Sequence, residues 1–164
     1  MIVIVMGISG VGKSTVGHML ASALEWCFIE GDDWHPIANI QKMSRGIPLT
    51  DRDRGSWLQH LREQIQQLLL QRQSAVITCS ALKQSYRAVL QPNSDEAVRF
   101  VYLKGSAATV RSRLSQRQGH FMKGEMLDSQ LATLEEPRDA IVIDIELFNS
   151  PAQIIAQICS QLDL

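Results

Sequence analysis

The sequence predicts an α/β fold, a three-layer α/β/α sandwich around one five-stranded parallel sheet. Short apolar or β-branched segments recur along the chain, and segments with helical periodicity separate them. Alternation of this kind is typical of a parallel sheet whose crossover connections are helices on both faces. The 164 residues contain no composition break, repeat or low-complexity linker, so we expect a single domain over residues 1–164.

The elements follow one another in a regular order. The predicted strands are Ile2–Met6, Cys27–Glu30, Ala75–Cys79, Val98–Leu103 and Ile141–Ile145. The predicted helices are Lys13–Leu24, Ile37–Ser44, Asp51 to about Gln71, Lys83–Leu90, Ala107–Gln116, Glu125–Leu134 and Ala152–Leu162. Thr50 with Asp53 predicts a capping box, and Ser150 followed by proline predicts another helix start. Ligands of such folds bind at the carboxyl ends of the strands, so residues there are candidates for a site.

The segment after the first strand predicts a phosphate-binding loop. Residues 7–14, Gly-Ile-Ser-Gly-Val-Gly-Lys-Ser, match the pattern G-x-x-x-x-G-K-[ST] between a strand and a helix. Backbone N–H groups and the helix dipole would hold an anion there. We expect Lys13 to reach the terminal phosphates and the Ser14 hydroxyl to hold Mg²⁺. The predicted nucleotide-binding residues of this loop are Gly7, Gly10, Val11, Gly12, Lys13, Ser14 and Thr15. The alternative is a glycine-rich turn with an exposed lysine.

An acidic turn follows the second strand. Glu30 and Asp32 are two residues apart on a segment that we expect to be extended, which would point both carboxylates to one side. Phosphoryl transfer uses a carboxylate to orient the attacking hydroxyl, so Asp32 is the predicted general base. Glu30 is expected to support Mg²⁺ through water. His35, in the same turn, is a candidate for contacting a substrate. The alternative is that the acids, with Asp33, form a solvated loop or cap the next helix.

Composition and charge limit the classes of partner and location. The formal net charge of −1 gives no reason to expect nucleic acid or a membrane surface as the main partner. The three cysteines lack metal-ligand spacing and are odd in number, which favours reduced thiols. We find no signal peptide and no apolar stretch near the roughly 20 residues that span a bilayer. The expected location is therefore cytoplasmic.

Several blocks resemble the gluconokinase family over nearly the whole chain. The first block runs from Gly31 to Trp57 and includes Gly31-Asp32-Asp33-Trp34-His35-Pro36, Asn39, Lys42-Met43, Gly46-Ile47-Pro48-Leu49, Asp51-Arg52-Asp53-Arg54 and Trp57. The later blocks are Cys79-Ser80-Ala81-Leu82-Lys83, Tyr86-Arg87, Tyr102-Leu103-Lys104-Gly105, Arg113-Leu114, Gly119-His120-Phe121, Leu134-Glu135 and Pro137. The chain departs from the family at Glu30, where the family more often has aspartate.

The resemblance implies a P-loop kinase-type sandwich with a short helical lid, related in fold to shikimate and nucleoside-monophosphate kinases. It implies an enzyme that uses ATP and Mg²⁺ to phosphorylate D-gluconate at the 6-hydroxyl, and a homodimer. At the acceptor end, Arg54, Lys83 and Arg87 are candidates to bind the substrate carboxylate, since guanidinium forks match carboxylates. Ser80 and His35 are candidates to bind hydroxyls. For Arg54, a solvated charge on a helix is the alternative.

Arg113 and Arg117 lie four residues apart, on one face of a predicted helix. Their spacing resembles the lid entrance of nucleoside-monophosphate kinases, where the first arginine stacks on adenine and the second contacts phosphates. The resemblance makes Arg117 a catalytic candidate with Lys13 and Asp32. Glycines at 119 and 124 predict lid hinges over residues 118–124. An amphipathic helix with basic outer residues is the alternative.

Two rival functions stay open from the residues alone. One is a kinase of the same fold that acts on another small hydroxy acid, such as shikimate. The other is a nucleotide-dependent switch or ATPase without an acceptor. Regulatory GTPases carry an N-K-x-D signature after a later strand, and this sequence has none. Dependence of ADP release on an acceptor would separate the kinase from the switch.

Overall fold

The computed structural model describes residues 1–91, 97–116 and 124–164. Within them, five parallel strands form one sheet in the order β2-β3-β1-β4-β5. The strands are β1 (Ile2–Met6), β2 (Cys27–Glu30), β3 (Ala75–Thr78), β4 (Val98–Lys104) and β5 (Ile141–Asp144). The predicted strands are confirmed, each within one residue at either end.

The helices also begin and end within one residue of their predicted positions. They are α1 (Lys13–Leu24), α2 (Ile37–Ser44), α3 (Asp51–Leu70), α4 (Gln84–Leu90), α5 (Ala107–Ser115), α6 (Gly124–Thr133) and α7 (Pro151–Leu162). Two short 3₁₀ helices, Gly31–Trp34 and Ile145–Leu147, follow β2 and β5. Among the described residues, no helix has both the length and the apolar character needed to cross a membrane.

Alternating strand residues face two separate cores, which makes the molecule a three-layer sandwich. In β1, Val3 and Val5 pack in one core, and Ile2 and Ile4 pack in the other. The first core receives side chains from α1, α5, α6 and α7, and the second from α3 and α4. Both faces of the sheet are therefore covered by helices, as the continuous apolar strands predict. The predicted α/β/α architecture is confirmed.

The two predicted helix caps differ in the structure. Thr50 accepts a hydrogen bond from the Asp53 backbone N–H, and the Asp53 carboxylate accepts one from the Thr50 N–H, so α3 has a complete capping box. Ser150 does occupy the N-cap position of α7, ahead of Pro151, but its side chain makes no capping hydrogen bond.

The expectation that Glu30 and Asp32 share one extended segment is wrong. The chain turns into a 3₁₀ helix at Gly31, so Asp32 no longer continues the line of β2. Gly31 passes so close to β3 that a Cβ there would lie 1.9 Å from the Thr78 carbonyl oxygen. Only glycine fits at this approach, and the two carboxylates do not lie on one extended segment. The predicted lid, apart from Gly124 at the start of α6, and Arg117 lie outside the described residues.

Candidate active site

The phosphate-binding motif forms the loop between β1 and α1. Gly12 precedes the helix in the left-handed region, with φ of 108°, which a residue with a Cβ rarely adopts. No side chain caps α1, and its first turn contains no acidic residue. The positive end of this helix therefore carries no protein anion of its own, as a phosphate site requires.

One side-chain hydrogen bond closes the phosphate loop on itself, and another joins it to α6. Lys13 Nζ donates a hydrogen bond to the Ile8 carbonyl oxygen at 3.1 Å. The Ser9 backbone N–H donates to Gln130 Oε1 at 2.7 Å, which brings α6 against the loop. The sequence gives no sign of this contact, because 121 positions separate the two residues.

A cavity opens beside Lys13 at the carboxyl ends of β1, β2 and β3. It is lined by Ser9, Lys13, Asp32, His35, Met43, Pro48, Leu49, Arg54, Ser80, Ser129 and Gln130. Five of the predicted site residues thus meet in one place: Lys13, Asp32, His35, Arg54 and Ser80. The free volume is about 50 Å³, room for one or two water molecules.

Arg54 is the buried cation of this cavity. Its side chain extends from the first turn of α3, and only 9% of the residue is exposed. The guanidinium lies over the Tyr86 ring, 5.7 Å from its centroid. Arg54 Nε is buried, and no hydrogen-bond partner for it occurs in the described parts of the chain. A buried unpaired donor costs free energy unless a ligand satisfies it, which argues against the solvated-charge alternative.

His35 lines the cavity and is held in place by an aromatic neighbour. Its ring stacks on Trp57, with centroids 4.1 Å apart and 19° between planes. Trp57 is itself fixed, since its Nε1–H donates to the Gly31 carbonyl oxygen at 2.8 Å. Burial, followed by the positive charge of Arg54, lowers the pKa of His35 to about 4. The imidazole is therefore neutral at neutral pH.

The two acids of the turn occupy different environments. The Asp32 side chain is 63% exposed, and its Oδ1 lies 4.0 Å from His35 Nε2 on the cavity wall. Glu30 Oε1 instead accepts a hydrogen bond from the buried Thr78 hydroxyl, which also accepts from the Gly31 N–H. Glu30 is not among the residues that line the cavity. Only Asp32 lies where a substrate hydroxyl could meet it directly.

The remaining predicted acceptor residues divide into two groups. Ser80 lines the cavity, and its carbonyl oxygen accepts from the Gly7 N–H at 3.3 Å. Lys83 pairs with Asp51 at 2.7 Å, and Arg87 donates to the carbonyl oxygens of Ala81 and Leu82. Neither Lys83 nor Arg87 is among the lining residues. Their charges hold α3 and α4 to the loop after β3 rather than facing the cavity.

A second cavity of about 370 Å³ lies on the other side of the phosphate loop. Its lining includes Gly10, Val11, Gly12, Thr15, Arg113 and Phe148. Arg113 is fixed against the loop, because its Nη1 donates to the Val11 carbonyl oxygen at 3.1 Å. The volume and the adjacent cation suit a nucleotide base.

The donor set around the loop fits Mg²⁺ held partly by phosphates. Mg²⁺ in phosphoryl-transfer sites is usually bound by one or two protein oxygens, waters and substrate phosphates rather than by a protein cage. Ser14, exposed at the first turn of α1, and Glu30 offer oxygens of this kind. Within the described ranges, no group of three or more histidine, cysteine or acidic side chains forms a metal cage.

Comparisons with known proteins identify relatives of this chain. A family model described as an AAA domain matches residues 2–137. The gluconokinase of Gluconobacter oxydans is 48% identical over 136 residues, which cover 83% of this chain and 76% of that protein. The crystal structure of a gluconokinase from Sinorhizobium meliloti superposes with a TM-score of 0.87 at 43% identity, covering 98% of this chain and 90% of that one.

A sugar kinase from Janibacter, solved without ligand, gives a TM-score of 0.90 at 44% identity and covers 99% of this chain and 94% of that chain. Identities at this level over nearly the full length indicate common descent as well as a common fold. The chain belongs to the gluconokinase family, within the wider group of AAA-domain P-loop proteins.

Proposed function

We propose that this protein is an ATP-dependent gluconokinase, which converts D-gluconate to 6-phospho-D-gluconate. The observation that carries the proposal is the cavity in which Lys13, Asp32 and the buried Arg54 meet. A phosphate-binding lysine, a carboxylate and an unsatisfied guanidinium are the three groups that a sugar-acid kinase needs. The gluconokinases among the relatives support this choice of acceptor.

On the nucleotide side, the loop of residues 7–15 binds the phosphates of ATP. The N–H groups at the start of α1 point to the phosphate oxygens, and Lys13 exchanges the Ile8 carbonyl oxygen for the terminal phosphates. Arg113 and the 370 Å³ cavity receive the adenine. Arg117, outside the described residues, remains a proposed phosphate contact.

On the acceptor side, Arg54 binds the carboxylate of D-gluconate. A substrate carboxylate would satisfy its buried Nε and form a charge-assisted pair. Ser80 and His35 contact the hydroxyls along the sugar chain. Because Lys83 and Arg87 have partners outside the cavity, we assign the carboxylate to Arg54 alone.

Asp32 serves as the general base at the other end of the acceptor. The proton of the 6-hydroxyl passes to the Asp32 carboxylate while the oxygen bonds to the γ-phosphorus and the bond to the ADP oxygen breaks. Lys13 stabilises the charge of the transferred group, since it lies in the same cavity as Asp32. Arg54 fixes the far end of the substrate, so that the 6-hydroxyl, not another, reaches phosphorus.

Ser14 and, through water, Glu30 would hold Mg²⁺. The Thr78 hydroxyl bonds Glu30 and orients its carboxylate, which keeps a negative charge near the loop despite the departure from aspartate. When bound, Mg²⁺ neutralises charge on the β- and γ-phosphates.

The wider context is proposed from the family and the composition. We infer a cytoplasmic homodimer whose single domain spans residues 1–164, with no nucleic acid or membrane partner. The one sheet and the two cores that flank it support a single domain. Light scattering of the purified protein tests the dimer.

A coupled assay of ADP release tests the activity. The acceptors are D-gluconate, other sugar acids, shikimate and none. We expect release that depends on D-gluconate, with phosphate attached at C6 of the product. Release without an acceptor would indicate an ATPase or switch, and preference for shikimate would contradict the assigned substrate.

A further inference from the structure

Behind His35 lies a polar side chain that the proposed chemistry has not used. Asn39, on the first turn of α2, is 4% exposed and lies between the His35 ring and the start of α3. Its Nδ2 is 2.8 Å from the Asp53 carbonyl oxygen and 3.3 Å from His35 Nδ1. A buried amide with partners on two elements is placed to orient one against the other.

The Asp53 carbonyl oxygen determines which way the Asn39 amide faces. A carbonyl oxygen only accepts hydrogen bonds, so the atom opposite it has to be the amide nitrogen. Asp53 itself is held by the capping box and by an ion pair with Lys42 at 2.6 Å. The orientation of the amide is therefore set by a rigid helix start.

The amide in turn determines the tautomer of His35. The second N–H of Asn39 is the one that faces His35 Nδ1, so Nδ1 has to be the accepting nitrogen. A neutral imidazole with an accepting Nδ1 carries its proton on Nε2. Asp32 lies 4.0 Å from the ring, and burial, followed by the charge of Arg54, keeps the pKa of His35 low. Asp33, His60 and Glu63 line another cavity that His35 also borders. Lys42 and Asp53 lie behind Asn39, and Lys13 lines the same cavity.

The Nε2 atom and Asp32 Oδ1 are too far apart to bond each other, at 4.0 Å. An oxygen at about 2.8 Å from both atoms fits between them with an angle near 90°. One hydroxyl can therefore donate to Asp32 and accept from His35 at the same time. Its second lone pair remains available for phosphorus.

We propose that Asn39 is a positioning residue, which fixes His35 as the Nε2–H tautomer so that His35 donates a hydrogen bond to the same hydroxyl that Asp32 deprotonates. This inference rests on the proposed function and deepens it. In the reaction, the hydroxyl proton moves to Asp32 and the oxygen bonds to phosphorus. His35 keeps its own proton throughout, so it is a fixed donor and not a base.

The tautomer can be measured without substrate. Long-range ¹H–¹⁵N spectra of histidine-labelled protein at pH 7 distinguish the two tautomers by the shift of the nitrogen that lacks a proton. The His35 signals are assigned by their loss in His35→Gln. We expect Nε2 to be protonated and Nδ1 not. A protonated Nδ1 in the wild-type protein would overturn the inference, whatever the substrate proves to be.

Two replacements of His35 test whether its Nε2–H donates a hydrogen bond to the substrate hydroxyl. Glutamine places an amide N–H near the position of Nε2, whereas asparagine places it near Nδ1. We expect kcat/KM for D-gluconate to be about tenfold or more higher in His35→Gln than in His35→Asn, the value of one hydrogen bond. Equal losses in the two variants would mean that the ring contributes packing alone. If the wild-type enzyme does not phosphorylate D-gluconate, the proposed function fails while the tautomer result still stands by itself.

Asn39→Asp tests the positioning role. The new carboxylate accepts from Nδ1–H and raises the pKa of His35. The protonated ring still donates from Nε2, but the neutral ring above that pKa carries its proton on Nδ1 and does not. We expect kcat/KM of Asn39→Asp to fall as the pH rises through the new His35 pKa. The pH profile of kcat/KM for the wild-type enzyme should show no such fall.

Gln41→Glu, on an exposed position of the same helix, adds the same charge as a control and should keep the wild-type profile. A loss in Asn39→Asp that is equal at every pH would contradict the proposal and reduce Asn39 to a structural residue.

Discussion

The N-termini of α1 and α3 both lie close to the same cavity, but only that of α3 is capped by side chains. The start of α3 is closed by the Thr50–Asp53 capping box, and its first turn contains Asp51 and Asp53. The start of α1 follows Gly12, with no side-chain cap and no acid in its first turn. Each helix has a positive end, but only α3 neutralises that end with its own side chains.

The difference in capping indicates that the two helix N-termini have different roles. A closed helix start is stable by itself and can hold other groups rigidly, as α3 holds Arg54 and, through the Asp53 carbonyl oxygen, Asn39. An open start leaves N–H groups and dipole for an external anion. This contrast supports the proposal that α1 binds the nucleotide and that α3 positions the residues that bind the acceptor.

Removing the cation at the open end should have the largest effect. We expect Lys13→Ala to lower kcat by on the order of 10³-fold, because it removes a charge from the transferred phosphoryl group, without lowering the melting temperature. Arg72→Ala, an exposed cation in the turn between α3 and β3, is the control and should retain activity. Near-normal turnover of Lys13→Ala would mean that the open helix start is not a catalytic phosphate site.

Removing the proposed general base, Asp32, should cause the second-largest loss of activity. Asp32→Asn keeps the shape of the side chain but does not accept a proton, so we expect kcat to fall by about 10²-fold or more. Asp33→Asn, at the adjacent exposed position of the same 3₁₀ helix, is the matched control. An Asp32→Asn enzyme changed only in KM would make Asp32 a binding group instead.

Changing the cation on the closed helix should affect binding more than chemistry. Arg54→Lys keeps the charge but loses the fork that matches a carboxylate, so we expect KM for D-gluconate to rise by about tenfold. The KM for ATP should stay the same. Arg52→Lys, exposed on the same turn, is the control. An unchanged KM for D-gluconate in Arg54→Lys would place the substrate carboxylate elsewhere.

Opening the closed helix start should have the smallest effect on catalysis and a measurable one on stability. Thr50→Ala removes one half of the capping box and should lower the free energy of unfolding by about 1 kcal/mol. For a domain of this size the melting temperature then falls by about 2–4 °C. Ser150→Ala also replaces an N-cap residue by alanine, but the Ser150 side chain makes no capping hydrogen bond. This variant should therefore lower the free energy of unfolding by less than Thr50→Ala does. Equal losses would show that the capping box does not stabilise α3.

Local signals in the sequence predicted most of the fold. Apolar runs placed the strands, and the Thr50–Asp53 spacing identified a helix start, because caps and periodicity depend on neighbours within a few residues. The phosphate loop was predictable for the same reason. One local expectation failed, because the chain turns at Gly31, where it passes close to β3. The helix start at Ser150 was predicted correctly, although its side chain makes no capping hydrogen bond.

The acceptor end was less predictable, because folding brings it together from distant segments. Asn39 and Gln130 reach the site through partners 14 and 121 positions away. Gln130 belongs to no motif, and the block that contains Asn39 gave no sign of its role. Lys83 and Arg87 have the charge of a carboxylate ligand, but tertiary partners take them out of the cavity. Residue type predicted the chemistry that was possible, and packing decided which residues face the cavity.

A crystal structure with a non-hydrolysable ATP analogue and D-gluconate would test the division between the two helices most directly. We expect the phosphates at the start of α1, the substrate carboxylate on Arg54, and the 6-hydroxyl within hydrogen-bond distance of Asp32 and His35 Nε2. D-gluconate bound with its carboxylate away from Arg54, or with C6 turned away from Asp32, would contradict this expectation.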